Sequence, residues 1–312
     1  DVIELSSDDN VEIRVSAGIT SAVSPSTRAV VDGMINSGFT TDLDVAFVRA
    51  DEGGTGYTTY GATALTGTVA HAADALSFAP AEYYLASGKK TKLIGWYPRR
   101  TGVSYTQGTR VVDFGEIDGK TDLMATALQE GSKGAKFSSI TFNHLLTQFS
   151  IKVYAPDAAA QGLWGTVSSI KIAEKKQTCT ITLPAATEAA NTAAAPAFTG
   201  NSDLDLVRTN LTTSPVSAIT YPLTLGVGTA TNAVQAGYAM FAPQATGNVV
   251  LKIELSVGGS QTVNVPVPTT PTTGFLHGSA YEITLKFSSS AITPTVSVVD
   301  WIPVTNTPEV EI

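Results

Sequence analysis

Apolar residues recur at every second position over much of this chain, and that spacing restricts it to half-buried antiparallel strands. Val11, Ile13 and Val15 alternate with Glu12, Arg14 and Ser16. Leu43, Val45 and Phe47 alternate with Asp42, Asp44 and Ala46, and Phe149, Ile151 and Val153 with Ser150, Lys152 and Tyr154. The longest run is Val249, Leu251, Ile253, Leu255 and Val257, set against Lys252, Glu254 and Ser256. Val263, Val265 and Val267 follow, then Tyr281, Ile283, Leu285 and Phe287. Each pattern places one face on a core and the other in water. Gly258-Gly259 between two such runs reads as a hairpin turn. Helical signals are confined to Thr121–Glu130, capped by Thr121 or Asp122, and to Asp157–Trp164, opened by Asp157 after Pro156. Repeated strands with Gly/Pro-rich turns predict an all-β protein built of sandwiches or barrels.

At 312 residues the chain is long enough for two domains. The polar, Gly-rich stretch 130–136 places the cut near residue 135, giving 1–135 and 136–312. Charged residues are only 15% of the chain, and the net charge is −8. That balance argues against nucleic acid, whose binding needs basic patches, and against adsorption to anionic membranes. The chain starts at Asp1, which reads as a trimmed or mature product. No stretch approaches the roughly 18 apolar residues of a bilayer span. The single cysteine, Cys179, shares parity with Ile181 and Leu183 and is predicted to lie in the core.

No catalytic, cofactor or metal set emerges. His71, His144 and His277 are scattered, with no HExxH or Cys/His cluster. His144, opposite Phe149 by parity, is expected to be a structural imidazole with a backbone partner. Gly53-Gly54-Thr55-Gly56 lacks the Lys-Ser/Thr of a P-loop, and no Gly-x-Ser-x-Gly elbow occurs. Asp42 and Asp44 fit a solvated strand face; Asp203 and Asp205 leave a loop calcium site open. Trp96 and Trp301 read as packed residues, whereas Trp164 is open between a packed ring and a carbohydrate platform. Ala185–Ala197 lacks alternation and is expected to form a long surface loop, more mobile than its surroundings. Pro266 and Pro268 make their segment an edge strand or linker.

Several segments in order resemble one family. They are Ser24-Pro-Ser-Thr-Arg28-Ala29 ahead of the Leu43 strand, Tyr83-Tyr84 with Leu93-Ile-Gly-Trp-Tyr-Pro98, Asp122-Leu-Met-Ala-Thr-Ala127, Phe142-Asn-His144, and the Tyr281 strand leading to Asp300-Trp301. Together they resemble the fimbrillins of Bacteroidia. The resemblance implies two transthyretin-like β-sandwich domains and export as a lipoprotein through a cysteine upstream of Asp1. It also implies a place at the cell surface, attached to the outer membrane and then in an extracellular pilus. An arginine-specific protease would cut after the first strand, here between Arg28 and Ala29, releasing a removable strand that carries Val11, Ile13 and Val15. The C-terminal strand of another subunit would fill the groove, and Val304, Val310 and Ile312 are the candidate donor residues.

The residues support this independently. Ser21 to Thr27 are small and polar with one Pro, the composition of an accessible loop. In the tail, Val304, Val310 and Ile312 share parity, but so do Asn306 and Pro308, and Pro308 lacks a ladder donor. The expected function is a structural pilus subunit whose partners are other copies or related subunits. The alternative is a tip or anchor adhesin that binds a host glycan or protein.

Overall fold

A computed structural model describes residues 10–19, 42–70, 73, 75–210, 217–269 and 273–301. Among these the protein is almost entirely β-structure, as the alternation predicts. Its first sheet contains β1 (Val15–Ile19), β2 (Leu43–Asp51), β3 (Leu65–Ala70), β4 (Ala75–Phe78), β5 (Thr91–Tyr97), β8 (Met124–Thr126), β9 (Gln129–Gly131) and β10 (Ile140–His144). The order is β2-β3-β4-β1-β10-β8-β5-β9, and β2 also pairs with β5, so the sheet closes on itself. All pairings in this ring are antiparallel except β1 with β10. Alternate side chains of the strands around the ring fill the interior, including Val15, Val45, Phe47, Leu76, Ile140 and Phe142; β9, outside the ring, adds none. Phe47 packs edge-on against both Phe78 and Phe142. Gly95 is required here, because a Cβ would lie 2.5 Å from the Phe47 ring.

Two further sheets face each other. One holds β11 (Thr147–Ala155), β17 (Gly226–Val227), β18 (Val234–Phe241), β21 (Ala280–Phe287) and β22 (Ile292–Val299). The other holds β6 (Ser104–Thr106), β7 (Val111–Glu116), β12 (Thr166–Thr182), β13 (Ala195–Asp205), β16 (Leu223–Thr224), β19 (Asn248–Leu255) and β20 (Gly259–Pro266). A small ladder joins β14 (Thr209–Asn210) to β15 (Ser217–Ala218). Phe149, Ile151, Ile283 and Leu285 from the first sheet meet Ile170, Ile172, Leu251 and Ile253 from the second. This is the sandwich core that the alternating runs predict. β20 ends at Pro266 on a sheet edge, where a missing donor is tolerated.

A third core lies between ring and sandwich. The outer faces of β2 and β5 supply Val48, Ile94 and Trp96, and β7 supplies Val112 and Phe114. Cys179 and Ile181 come from the far half of β12, and Met240 from β18. The 17-residue β12 therefore serves two cores, bending where its register shifts and where Glu174 adopts φ 59°. Pairing crosses residue 135 in both directions: β7 pairs with β12, while β10 completes the ring beside β1 and β8.

One local expectation is corrected. Thr121–Glu130 is not helical but carries β8 and β9. Met124 faces the ring interior while Leu123, Ala125 and Leu128 face the middle core, so burial between two cores overrides helix propensity. The stretch 185–197 is largely exposed, as expected of a surface loop, and backbone bonds tie it to the ring. Leu128 donates to the Thr192 carbonyl, Asn191 donates to that of Leu128, and β13 begins at Ala195. The Asp157 helix forms as expected, as α1 (Ala158–Trp164), with Asp157 Oδ1 accepting from the Ala160 amide at 2.8 Å.

Candidate assembly site

The first strand occupies an interior position of the ring. Ala17, Gly18 and Ile19 pair with Ile140, Thr141 and Phe142 of β10; Val15 and Ser16 pair with Leu76 and Ala75 of β4. Just ahead, Ile13 donates to the Glu82 carbonyl at 2.7 Å, and the Val11 carbonyl accepts from the Tyr84 amide at 2.9 Å. The alternating segment thus reaches further than the sequence pattern indicates, from Val11 to Ile19. Ile13, Val15, Ala17 and Ile19 are buried, and Val11 is half-buried. Burying each of Ile13, Val15 and Ile19 contributes about 1.5–3 kcal/mol. Each backbone bond adds roughly 0.5–1.5 kcal/mol net. Sequence reasoning missed the partners at Glu82–Tyr84, a short extended piece between β4 and β5 that bridges Glu12 through Tyr83 and is too short to show alternation.

Topology sets β1 apart. Without it, β4 is still held by β3 through four Cα pairs, Gly67–Phe78 to Ala70–Ala75, and β10 by β8. Its loss would open the ring along one seam, leaving two unpaired strand edges and an apolar trough lined by Phe47, Leu76 and Phe142. β1 is also the first strand, joined to β2 only through residues 20–42. Arg28 and Ala29 fall in this connection, outside the described residues.

At the other end, the chain leaves β22 and reaches Trp301, the last described residue. Trp301 stacks on His144 with ring centroids 4.2 Å apart. His144 Nδ1 lies 2.7 Å from Asp122 Oδ2, and both side chains are buried. The expected backbone partner of His144 is thus a carboxylate, brought from the β7–β8 connection. The His144 carbonyl in turn faces His277 Nδ1 at 3.3 Å. The root of the tail is therefore fixed between ring and sandwich. Val304, Val310 and Ile312 lie outside the described residues, as does His71.

The remaining candidates resolve as structural groups. Asp203 Oδ2 binds Lys252 Nζ at 2.7 Å, a hydrogen bond that lowers the Asp203 carboxyl pKa, and Asp205 pairs with Lys171 at 3.3 Å. Among the described residues no three His, Cys, Asp or Glu side chains group as a metal site. Trp164 donates its indole N–H to the Ser288 carbonyl at 2.7 Å and lies edge-on to Phe287, so its ring is packed. Trp96 is buried. Cys179 is fully buried, and burial pushes its thiol up to about 12.

The model of one protein family, described as fimbrillin-like, matches residues 27–301. The chain belongs to the fimbrillin-like family. A search of curated proteins finds no match. Among solved structures, this fimbrillin-like chain is similar to a candidate cell adhesion protein from Bacteroides uniformis (TM-score 0.59, 16% identity, covering 95% of this chain and 99% of the other). It is similar to another from Bacteroides ovatus (TM-score 0.56, 16% identity, 94% and 99%). A third, from Parabacteroides distasonis, aligns at TM-score 0.50 and 13% identity over 96% and 99%. At these identities the likeness concerns the fold.

Proposed function

We propose that this protein is a structural pilus subunit of the cell surface that polymerises by exchanging its first strand for the C-terminal segment of a neighbour. The observation that carries the reading is the placement of β1: buried, paired on both sides, and tied to the body by one connection. An arginine-specific protease cutting between Arg28 and Ala29 would convert an intramolecular plug into a separate peptide. While tethered, the plug competes at a high effective concentration; once cut, it is diluted into solution. The C-terminal segment of a neighbour, bearing Val304, Val310 and Ile312, then restores part of the lost burial and ladder bonds. The contact is head to tail, so it propagates into a filament. The family match, which starts at Thr27 and stops at Trp301, leaves out both exchanging segments. Attachment to the outer membrane would come from a lipid on a cysteine upstream of Asp1. Within this scheme the body works as two units, with the cut expected near residue 135 and the pairing of β7 with β12 joining them. The role is structural, not enzymatic.

A disulfide lock tests this. Gly18 and Thr141 are paired on β1 and β10. The double variant Gly18→Cys/Thr141→Cys, when oxidised, should give protease-cut chain that stays monomeric, and reductant should restore oligomers. Cys179 is buried and will not interfere. Locked chain that polymerises as fast as reduced chain would refute the exchange.

A further inference from the structure

One end of the sandwich is nearly free of charge. β11 runs away from the ring, and its far end at Ala155 meets the far ends of β17 and β21. Four connections gather there: 156–165 with α1, 225–233, the β19–β20 tip at 255–259, and the β21–β22 turn at 287–291. They are joined by Trp164 to Ser288, Val257 to the Trp164 carbonyl, and Gln161 to the Leu225 carbonyl. Across all four, the single charged residue is Asp157, although charged residues are 15% of the chain. Its carboxylate caps α1. The same end carries Val257, Leu163 and Val227, exposed by 66%, 49% and 41%. Elsewhere among the described residues the one comparable side chain is Tyr83.

We infer that this pole is a contact surface for a second copy of the chain. The inference rests on the reading of the protein as an assembling subunit, but not on strand exchange. Each copy carries a net charge of −8, so two copies repel over most of their surface. They approach at least cost where neither presents charge, and depletion of charge around exposed apolar side chains is the composition of an interface centre. The three exposed side chains come from separate connections, α1, 225–233 and the β19–β20 tip, and so offer an extended protein-like contact. A lipid surface is disfavoured, because the four connections hold no basic residue, the exposed Lys286 beside them on β21 stands alone, and the one tryptophan is packed with its N–H engaged.

Sedimentation velocity on the intact chain tests the inference. Wild type should self-associate reversibly with rising concentration, and more strongly as salt screens the net charge. The exposed double variant Leu163→Asp/Val257→Asp should associate at least about tenfold more weakly with an unchanged melting curve. Thr199→Asp, at an exposed position of β13 outside both surfaces, should match wild type. Equal association of wild type and the double variant would overturn the inference, as would wild-type binding to zwitterionic vesicles that the double variant loses. Protease-induced ladders are scored separately. Ladders without a pole effect leave strand exchange standing alone, and a pole effect without ladders does the reverse.

Discussion

Asp122 and His144 show how a buried polar pair is placed by topology. The Asp-Leu-Met-Ala segment and the Phe-Asn-His segment lie 22 residues apart in sequence, and antiparallel pairing of β8 with β10 brings them together. Removing one partner of such a pair leaves a buried polar group unsatisfied, which typically costs about 1–3 kcal/mol. His144→Ala should therefore lower unfolding stability by about that amount in urea, and Asp122→Ala/His144→Ala should lose much less than the two single changes combined. A loss near zero for His144→Ala would mean the pair contributes little. The fluorescence of Trp301, stacked on the imidazole, should report the same disruption. Parity in the sequence signalled that His144 was structural, but parity carries no information on the cross-chain partner. Cys179 was legible, because its neighbours Ile181 and Leu183 share its face and both are buried.

Among the elements, the strands with clean alternation were readable and those buried on both faces were not. β5 is buried along its whole length, so Leu93-Ile-Gly-Trp-Tyr shows no period. Lys92 sits in that strand almost fully enclosed, its ammonium 4.1 Å from the centre of the Tyr57 ring. It donates to the carbonyls of Ala186 at 3.0 Å and Glu188 at 2.6 Å. These bonds tie the exposed Ala/Thr-rich stretch to the ring from an anchor 94 residues away in sequence. Lys92→Met should leave those carbonyls unsatisfied and cost about 1–3 kcal/mol for each that stays buried. Limited proteolysis should then nick the chain between Ala185 and Ala194, where wild type resists. Equal resistance of variant and wild type would show the stretch to be held by its backbone bonds alone.

For the whole molecule, alternation announced an all-β body, but the closure of one sheet into a ring and the sharing of β12 between two cores depend on long-range pairing. The same closure gives β1 its importance: one strand completes the ring, and it is the first. Under the proposed exchange, a plug held by three large apolar side chains and a few ladder bonds would be stable while tethered, and replaceable once its tether is cut and a matching strand is present.

Native mass spectrometry after treatment with an arginine-specific protease reads this directly. The account expects the 1–28 fragment to leave the cut body, and the freed bodies to join into a ladder of oligomers that excess synthetic peptide of residues 1–28 suppresses. A cut body that keeps its fragment and remains monomeric would contradict the claim that the first strand is exchangeable.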